Sequence, residues 1–193
     1  MKRLIINKIM ITPKRNIRFL EAGEIHQIID AIPDDLRGRR DRALLEVLFS
    51  TGLRISEALA LKRDDLLRGI PHQTLELVII GKGGYQRVVY VSPGALQAVF
   101  RYFAGRRDND EGAFLVGKRQ VQLMVKVRAK EAGIDKFISP HVFRHSLATD
   151  LLRRGVDIRF VSEFLGHRSL ANTQIYTHVV NEDLRRIHKR LYK

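Results

Sequence analysis

The chain has 193 residues, 45% of them hydrophobic, which suits one ordinary domain with a buried core and excludes a disordered composition. The 35 Lys and Arg outnumber the 21 Asp and Glu, and the net charge of +14 points to a polyanionic partner, most often nucleic acid. With no cysteine, disulfide frameworks, zinc-finger spacings and thiol nucleophiles are excluded.

Residues 1–18 carry Lys2, Arg3, Lys8, Lys14, Arg15 and Arg18 and no acid. The apolar start MKRLIINKIM is broken by Asn7 and Lys8, with no small-residue cleavage site after it. We read 1–18 as a basic arm or linker remnant, with Lys14 and Arg15 as candidate contacts to a DNA backbone. No run is long enough to span a membrane, so a soluble cytoplasmic protein is expected.

From Glu21 onward, Ile25, Ile28 and Ile29 keep helical spacing. RRDRALLEVLFS predicts a second helix, broken at Thr51-Gly52, and RISEALAL opens another at Arg54. TLELVII and RVVYVS flank GKGGYQ, a hairpin with a glycine-rich turn. Ser92-Pro93 is a cap followed by proline at the first helical position, starting a helix through ALQAVFRYF. A further helix covers 118–131 and stops near Gly133. Ser139-Pro140 repeats the start signal before HVFRHSLATDLLRR, and Asp157 caps a short helix ending at Gly166. SLANTQIYTHV and NEDLRRIHKRLY close the chain. The expected fold is mainly α with a small antiparallel β-sheet, an α+β domain over 19–193 whose tail helix is 181–193.

On a helical wheel Phe143, Leu147 and Leu151 share one arc, and His141 and Arg144 lie beside it, about 60° apart. With Ser139 as cap, His141 falls in the first turn, where free N–H groups favour an anion. An imidazole and a guanidinium placed together there suit a phosphate. Arg54 follows a tight turn in FSTGLRISEALAL, with Glu57 one turn later to hold its guanidinium. Lys82 sits in the hairpin turn, His167 follows Gly166, and Tyr176 lies in the polar stretch TQIYTH. Each has an ordinary reading as surface charge, cap or packing residue. Together they make a set for phosphoryl transfer: cations for the non-bridging oxygens, proton carriers and a nucleophile.

Four stretches carry a family resemblance: TGLRISEALAL with Arg54 and Glu57, GKGGYQR with Lys82, HVFRHSLATDLL with His141 and Arg144, and LGHRSLANTQIYTHV with His167 and Tyr176. In order and spacing they resemble the catalytic domain of tyrosine recombinases, the phage integrase family, and within it the Xer-type recombinases. The match runs from about residue 20 to the end. Members usually carry an N-terminal helical domain that clamps the other face of the DNA. Only about 20 residues precede the catalytic region here, as in a naturally short recombinase or an excised catalytic domain.

The resemblance implies a site-specific recombinase that cleaves and rejoins double-stranded DNA through a 3′-phosphotyrosyl intermediate, with no metal, ATP or other cofactor. It implies Tyr176 as nucleophile, Arg54 and Arg144 on the phosphate, and Lys82 as general acid. His141 would be the general base, His167 a hydrogen-bond donor and Glu57 the support of Arg54. Lys14, Arg15, Lys82, Arg87 and Arg168 are the expected DNA contacts. The tail, with Leu184, Ile187 and Leu191 at helical spacing, is expected to dock on a neighbouring protomer in a homo- or hetero-tetramer on DNA. The alternatives are a type IB topoisomerase-like enzyme and a DNA-binding regulator without cleavage.

Overall fold

The computed structural model describes residues 19–81 and 84–166. The basic arm, Lys82, and everything from His167 on, including Arg168, Tyr176 and the tail helix, lie outside the described residues. The elements run α1 (Ala22–Asp30), α2 (Leu36–Thr51), α3 (Ile55–Ala58), α4 (Arg63–Leu67), β1 (Leu75–Ile80), β2 (Gln86–Val91), α5 (Pro93–Ala104), α6 (Lys118–Glu131), α7 (Pro140–Arg153) and α8 (Ile158–Leu165). Among the described residues the fold is therefore mainly helical with one two-stranded antiparallel sheet, as expected.

Helix α2 is the central element, packed on α5, α7 and β2. Its Ala43, Leu44, Leu45, Val47 and Leu48 are all buried. At about 1.5–3 kcal/mol for each large apolar side chain removed from water, this helix anchors the core. Asp41 is buried on the same helix and binds Arg128 of α6 at 2.9 Å, tying the two elements together.

Three local details differ from expectation. Helix α2 starts at Leu36, earlier than RRDRALLEVLFS implied, because the Asp35 carboxylate accepts from the Gly38 N–H at 2.7 Å and caps it. RISEALAL does not form one helix: α3 stops at Ala58, and the chain turns so that Lys62 bridges to Gly112 before α4. Ser139 stands at the N-terminus of α7 with extended backbone but makes no side-chain cap; Pro140, which needs no N–H partner, opens the helix. By contrast, Ser92 and Asp157 do cap α5 and α8, through Ala95 N at 3.3 Å and Arg159 N at 2.7 Å.

Gly38 is exceptional for a helical glycine. A Cβ added there would lie 1.9 Å from the Pro33 carbonyl oxygen, a backbone atom. Glycine to alanine in a helix ordinarily gains about 1 kcal/mol. Here we expect the sign to invert, with Gly38→Ala losing about 1–3 kcal/mol as the 33–38 segment is forced apart. Urea denaturation reads this directly, and a variant more stable than wild type would show that the segment yields freely.

In the hairpin, Leu77 pairs with Val89 and Leu75 with Val91, so these residues face the core together. Val78, Ile80, Val88 and Tyr90 face outward. The sheet thereby brings the end of β1 and the start of β2 beside α3 and the end of α8.

Candidate active site

Two left-handed glycine turns frame the site. Gly52 (φ 62°) ends α2 and Gly166 (φ 65°) ends α8, each in a conformation that glycine adopts without strain. They pack closely: a Cβ on Gly52 would lie 2.8 Å from the Leu165 side chain and 3.0 Å from that of Leu147. The two helix C-termini therefore present their carbonyls to a common space.

Arg144 fills that space from α7. Its guanidinium donates to the carbonyl oxygens of Gly52 and Leu165. The residue is only 4% exposed, so its guanidinium runs inside the fold and not along the core–surface boundary where the helical wheel placed it. Helix C-terminal carbonyls attract a cation and fix it without cancelling its charge. His141, three residues earlier, is exposed. Partial burial of the ring within this otherwise exposed residue, followed by the charges of Arg144, Lys118 and Arg54, lowers its pKa from 6.5. The neutral imidazole is thus favoured at neutral pH, the form that accepts a proton. His145 lies one turn along from His141. Burial, then His141 and Arg144, push it down to about 4, so it is neutral as well.

Arg54 stands at the start of α3 in extended backbone. Its Nη1 donates to Glu57 Oε1 at 2.9 Å, and its backbone N–H donates to Glu57 Oε2 at 2.8 Å. Its Nη2 reaches the Gly166 carbonyl at 3.5 Å. Glu57 therefore holds Arg54 as the spacing implied. Unexpectedly, it also receives Arg87 of β2, whose Nη1 and Nη2 donate to Oε1 at 3.1 Å and Oε2 at 2.6 Å. Arg87 was expected on DNA. Its side chain is 7% exposed and turned inward on this carboxylate, on the strand face that carries Val89 and Val91.

Burial alone would raise the Glu57 pKa. The Arg87 hydrogen bonds, the Arg54 backbone N–H, the Arg87 charge and the Arg54 side chain outweigh it and leave the carboxyl at about 2. Because this lies below the ordinary 4.5, the stabilisation is complete above pH 4.5 and is lost as pH falls towards 2. It amounts to about 3 kcal/mol at most. We expect Glu57→Gln to be less stable than wild type by about 2–3 kcal/mol at pH 7, with the difference shrinking between pH 4.5 and 2. Denaturation midpoints across that range measure it; a gap unchanged at pH 3 would mean that the carboxylate charge is not what stabilises.

Beside these groups a cleft opens between β2 and α8, lined by Arg54, Arg87 and Gly166 together with Tyr90, Phe160 and Phe164. Tyr90 and Phe164 stack with ring centroids 6.3 Å apart. Of the predicted site residues, the structure brings together Arg54, its support Glu57 and Arg144 around the two glycine turns, with His141 on the same helix as Arg144. Lys82 and His167 directly follow Gly81 and Gly166 in sequence. Among the described residues, no group of three or more His, Asp or Glu is placed to hold a metal ion, and no helix is long and apolar enough to cross a membrane.

The pattern of the phage integrase family matches residues 18–183. Tyrosine recombinase XerD of Corynebacterium glutamicum is 41% identical over 184 residues, which cover 87% of this chain and 59% of the relative. Tyrosine recombinase XerA of Pyrococcus horikoshii is 37% identical over 182 residues, 90% of this chain and 61% of the relative. The chain thus spans about three-fifths of the length of these curated relatives. Among solved structures, XerH site-specific recombinase bound to palindromic difH substrate, a post-cleavage complex, matches with a TM-score of 0.78 and 24% identity. That match covers 92% of this chain and 54% of the other, and shows the fold. The crystal structure of XerA recombinase matches with a TM-score of 0.72 and 31% identity over 91% of this chain and 65% of the other. The matched span runs through the turns that gather Arg54, Glu57 and Arg144, and the chain belongs to the phage integrase family.

Proposed function

We propose that this chain is the catalytic region of a site-specific DNA recombinase of the Xer type. The reading rests on one observation above all: the Arg54 and Arg144 guanidiniums are both fixed at the Gly166 turn, by the Gly166 and Leu165 carbonyls, directly before His167. Two fixed cations at one point suit a phosphodiester whose non-bridging oxygens gain charge in the transition state. Tyr176 Oη attacks the phosphorus and the bond to the 5′-oxygen breaks, leaving a 3′-phosphotyrosyl link and a free 5′-hydroxyl. His141, held neutral by its surroundings, takes the phenol proton, and Lys82 supplies a proton to the leaving 5′-oxygen. His167 donates a hydrogen bond to a non-bridging oxygen. The energy of the broken ester is kept in the new one, so a 5′-hydroxyl from another strand can reverse the step.

A covalent trap tests this reading. The protein is incubated with sheared, nicked genomic DNA in EDTA and denatured, and the protein-linked DNA is captured and sequenced. Capture at a recurring sequence supports the recombinase. Capture spread over many sequences favours a topoisomerase-like relaxing enzyme, and no capture overturns the reading. Lys14, Arg15 and Arg168 are proposed as phosphate contacts.

The 181–193 tail is proposed to dock on a neighbouring protomer, joining four protomers on DNA. We expect its deletion to leave single protomers on one binding site and to remove the higher complexes in a native gel. Unchanged higher complexes would place the tail on its own domain.

A further inference from the structure

We infer that Arg87 is a positioning residue: from strand β2 it locks Glu57, and through Glu57 it sets the Arg54 guanidinium without cancelling its charge. The inference rests on the recombinase reading and adds a residue to it.

The geometry is that of a shared carboxylate. Each Glu57 oxygen accepts one hydrogen bond from Arg54 and one from Arg87: Oε1 at 2.9 and 3.1 Å, Oε2 at 2.8 and 2.6 Å. The Arg87 contact is the two-pronged fork that fixes direction as well as distance. Two cations on one anion leave the trio with one net positive charge. Without Arg87, the carboxylate would pair with Arg54 alone and hold its charge away from a phosphate. Exposure differs accordingly: the Arg54 side chain is 37% exposed and the Arg87 side chain 7%. Both line the cleft, Arg54 with its guanidinium the more open to solvent and Arg87 packed down on the carboxylate.

Arg87 also touches the turns that lead to two further site residues. A Cβ on Gly166 would lie 2.9 Å from Arg87 Cδ and 3.2 Å from its Nε, and one on Gly81 would lie 3.4 Å from its Nη1. Gly81 precedes Lys82 and Gly166 precedes His167. The guanidinium therefore packs against the chain just before both, while binding the acid that holds Arg54. A buried ion pair is poor evidence for stability, since an apolar side chain often serves as well. The neighbouring inward positions of β2 are in fact Val89 and Val91. An arginine at this place in the row is accounted for by what it orients.

The test uses the full chain and a nicked duplex carrying the sequence recovered by covalent capture, with single-turnover cleavage and DNA binding measured separately. Arg87→Met and Arg87→Lys are each expected to slow cleavage by about 10–100-fold, the scale of loss known for the outer partners that orient metal ligands. DNA affinity and its salt dependence are expected to stay at wild-type values. Combined with Glu57→Gln, either Arg87 variant should cleave no more slowly than the slower single variant, because both act through one carboxylate.

Wild-type cleavage by both Arg87 variants overturns the inference. So does an effect that multiplies with that of Glu57→Gln. A weaker affinity with a salt slope reduced by about one would instead make Arg87 a direct phosphate contact. If Arg87→Met fails to fold, Arg87→Lys decides, since it keeps the charge and loses only the fork. A wild type that forms no adduct overturns the recombinase reading itself, whatever the variants do.

Discussion

Tyr176→Phe is expected to abolish the covalent protein–DNA adduct completely while leaving DNA affinity unchanged. The substitution removes one oxygen, and without it no phosphotyrosyl ester can form. Charge is untouched, so the +14 that draws the chain to DNA remains. A free phenol has a pKa of about 10 and is a poor nucleophile at neutral pH. It needs a nearby base, and His141 is suited to that task because burial and the surrounding cations hold it neutral. The measurement is denaturing electrophoresis of protein incubated with nicked DNA, wild type beside variant, with binding followed in parallel by gel shift. Any adduct formed by the phenylalanine variant would take the nucleophile's role from Tyr176. Loss of binding together with the adduct would mean that the hydroxyl holds DNA.

Much of this site was legible in the sequence because its geometry is local. Arg54 and Glu57 are three residues apart, and a single turn of α3 is enough to join them. The Ser92, Asp157, Gly52 and Gly166 signals also acted where they stand, as caps and chain reversals. What escaped were contacts between distant segments. Arg87 and Glu57 are 30 residues apart, and only the folded hairpin brings them together. A signal did exist: strand alternation puts Arg87 on the face of Val89 and Val91, hence inward, where a guanidinium needs an anion. Arg87 was expected among the DNA contacts, and the structure turns its guanidinium onto Glu57.

Arg144 shows the same limit. Its neighbours on the helical wheel placed it at a boundary, but the carbonyls that draw it inward belong to Gly52 and Leu165, on other helices. RISEALAL failed as one helix for a related reason. Its apolar residues serve a turn that must carry the chain to the Lys62–Gly112 bridge, and tertiary context overrode propensity.

The second large effect is expected at Arg144. We expect Arg144→Lys to slow single-turnover cleavage by about 10²–10³-fold, the range seen when one fixed donor to a developing charge is lost. Charge is conserved, so the loss comes from shape. The guanidinium is planar, and separate nitrogens reach the Gly52 and Leu165 carbonyls, tying the end of α2 to the end of α8. An ammonium is a single point on a flexible stem and cannot reproduce that span. One buried carbonyl would then lose its donor, at about 1–3 kcal/mol of stability, and the cation would settle towards whichever carbonyl it keeps. The phosphate would meet a charge in the wrong place. Because stability and catalysis both fall, thermal melting must accompany the kinetics, and cleavage must be compared at a temperature where both proteins are folded. Slow cleavage by a folded, DNA-binding variant locates the effect in the position of the guanidinium. Cleavage at the wild-type rate would show that the bridge between the two helix ends is structural and that phosphate stabilisation lies with Arg54.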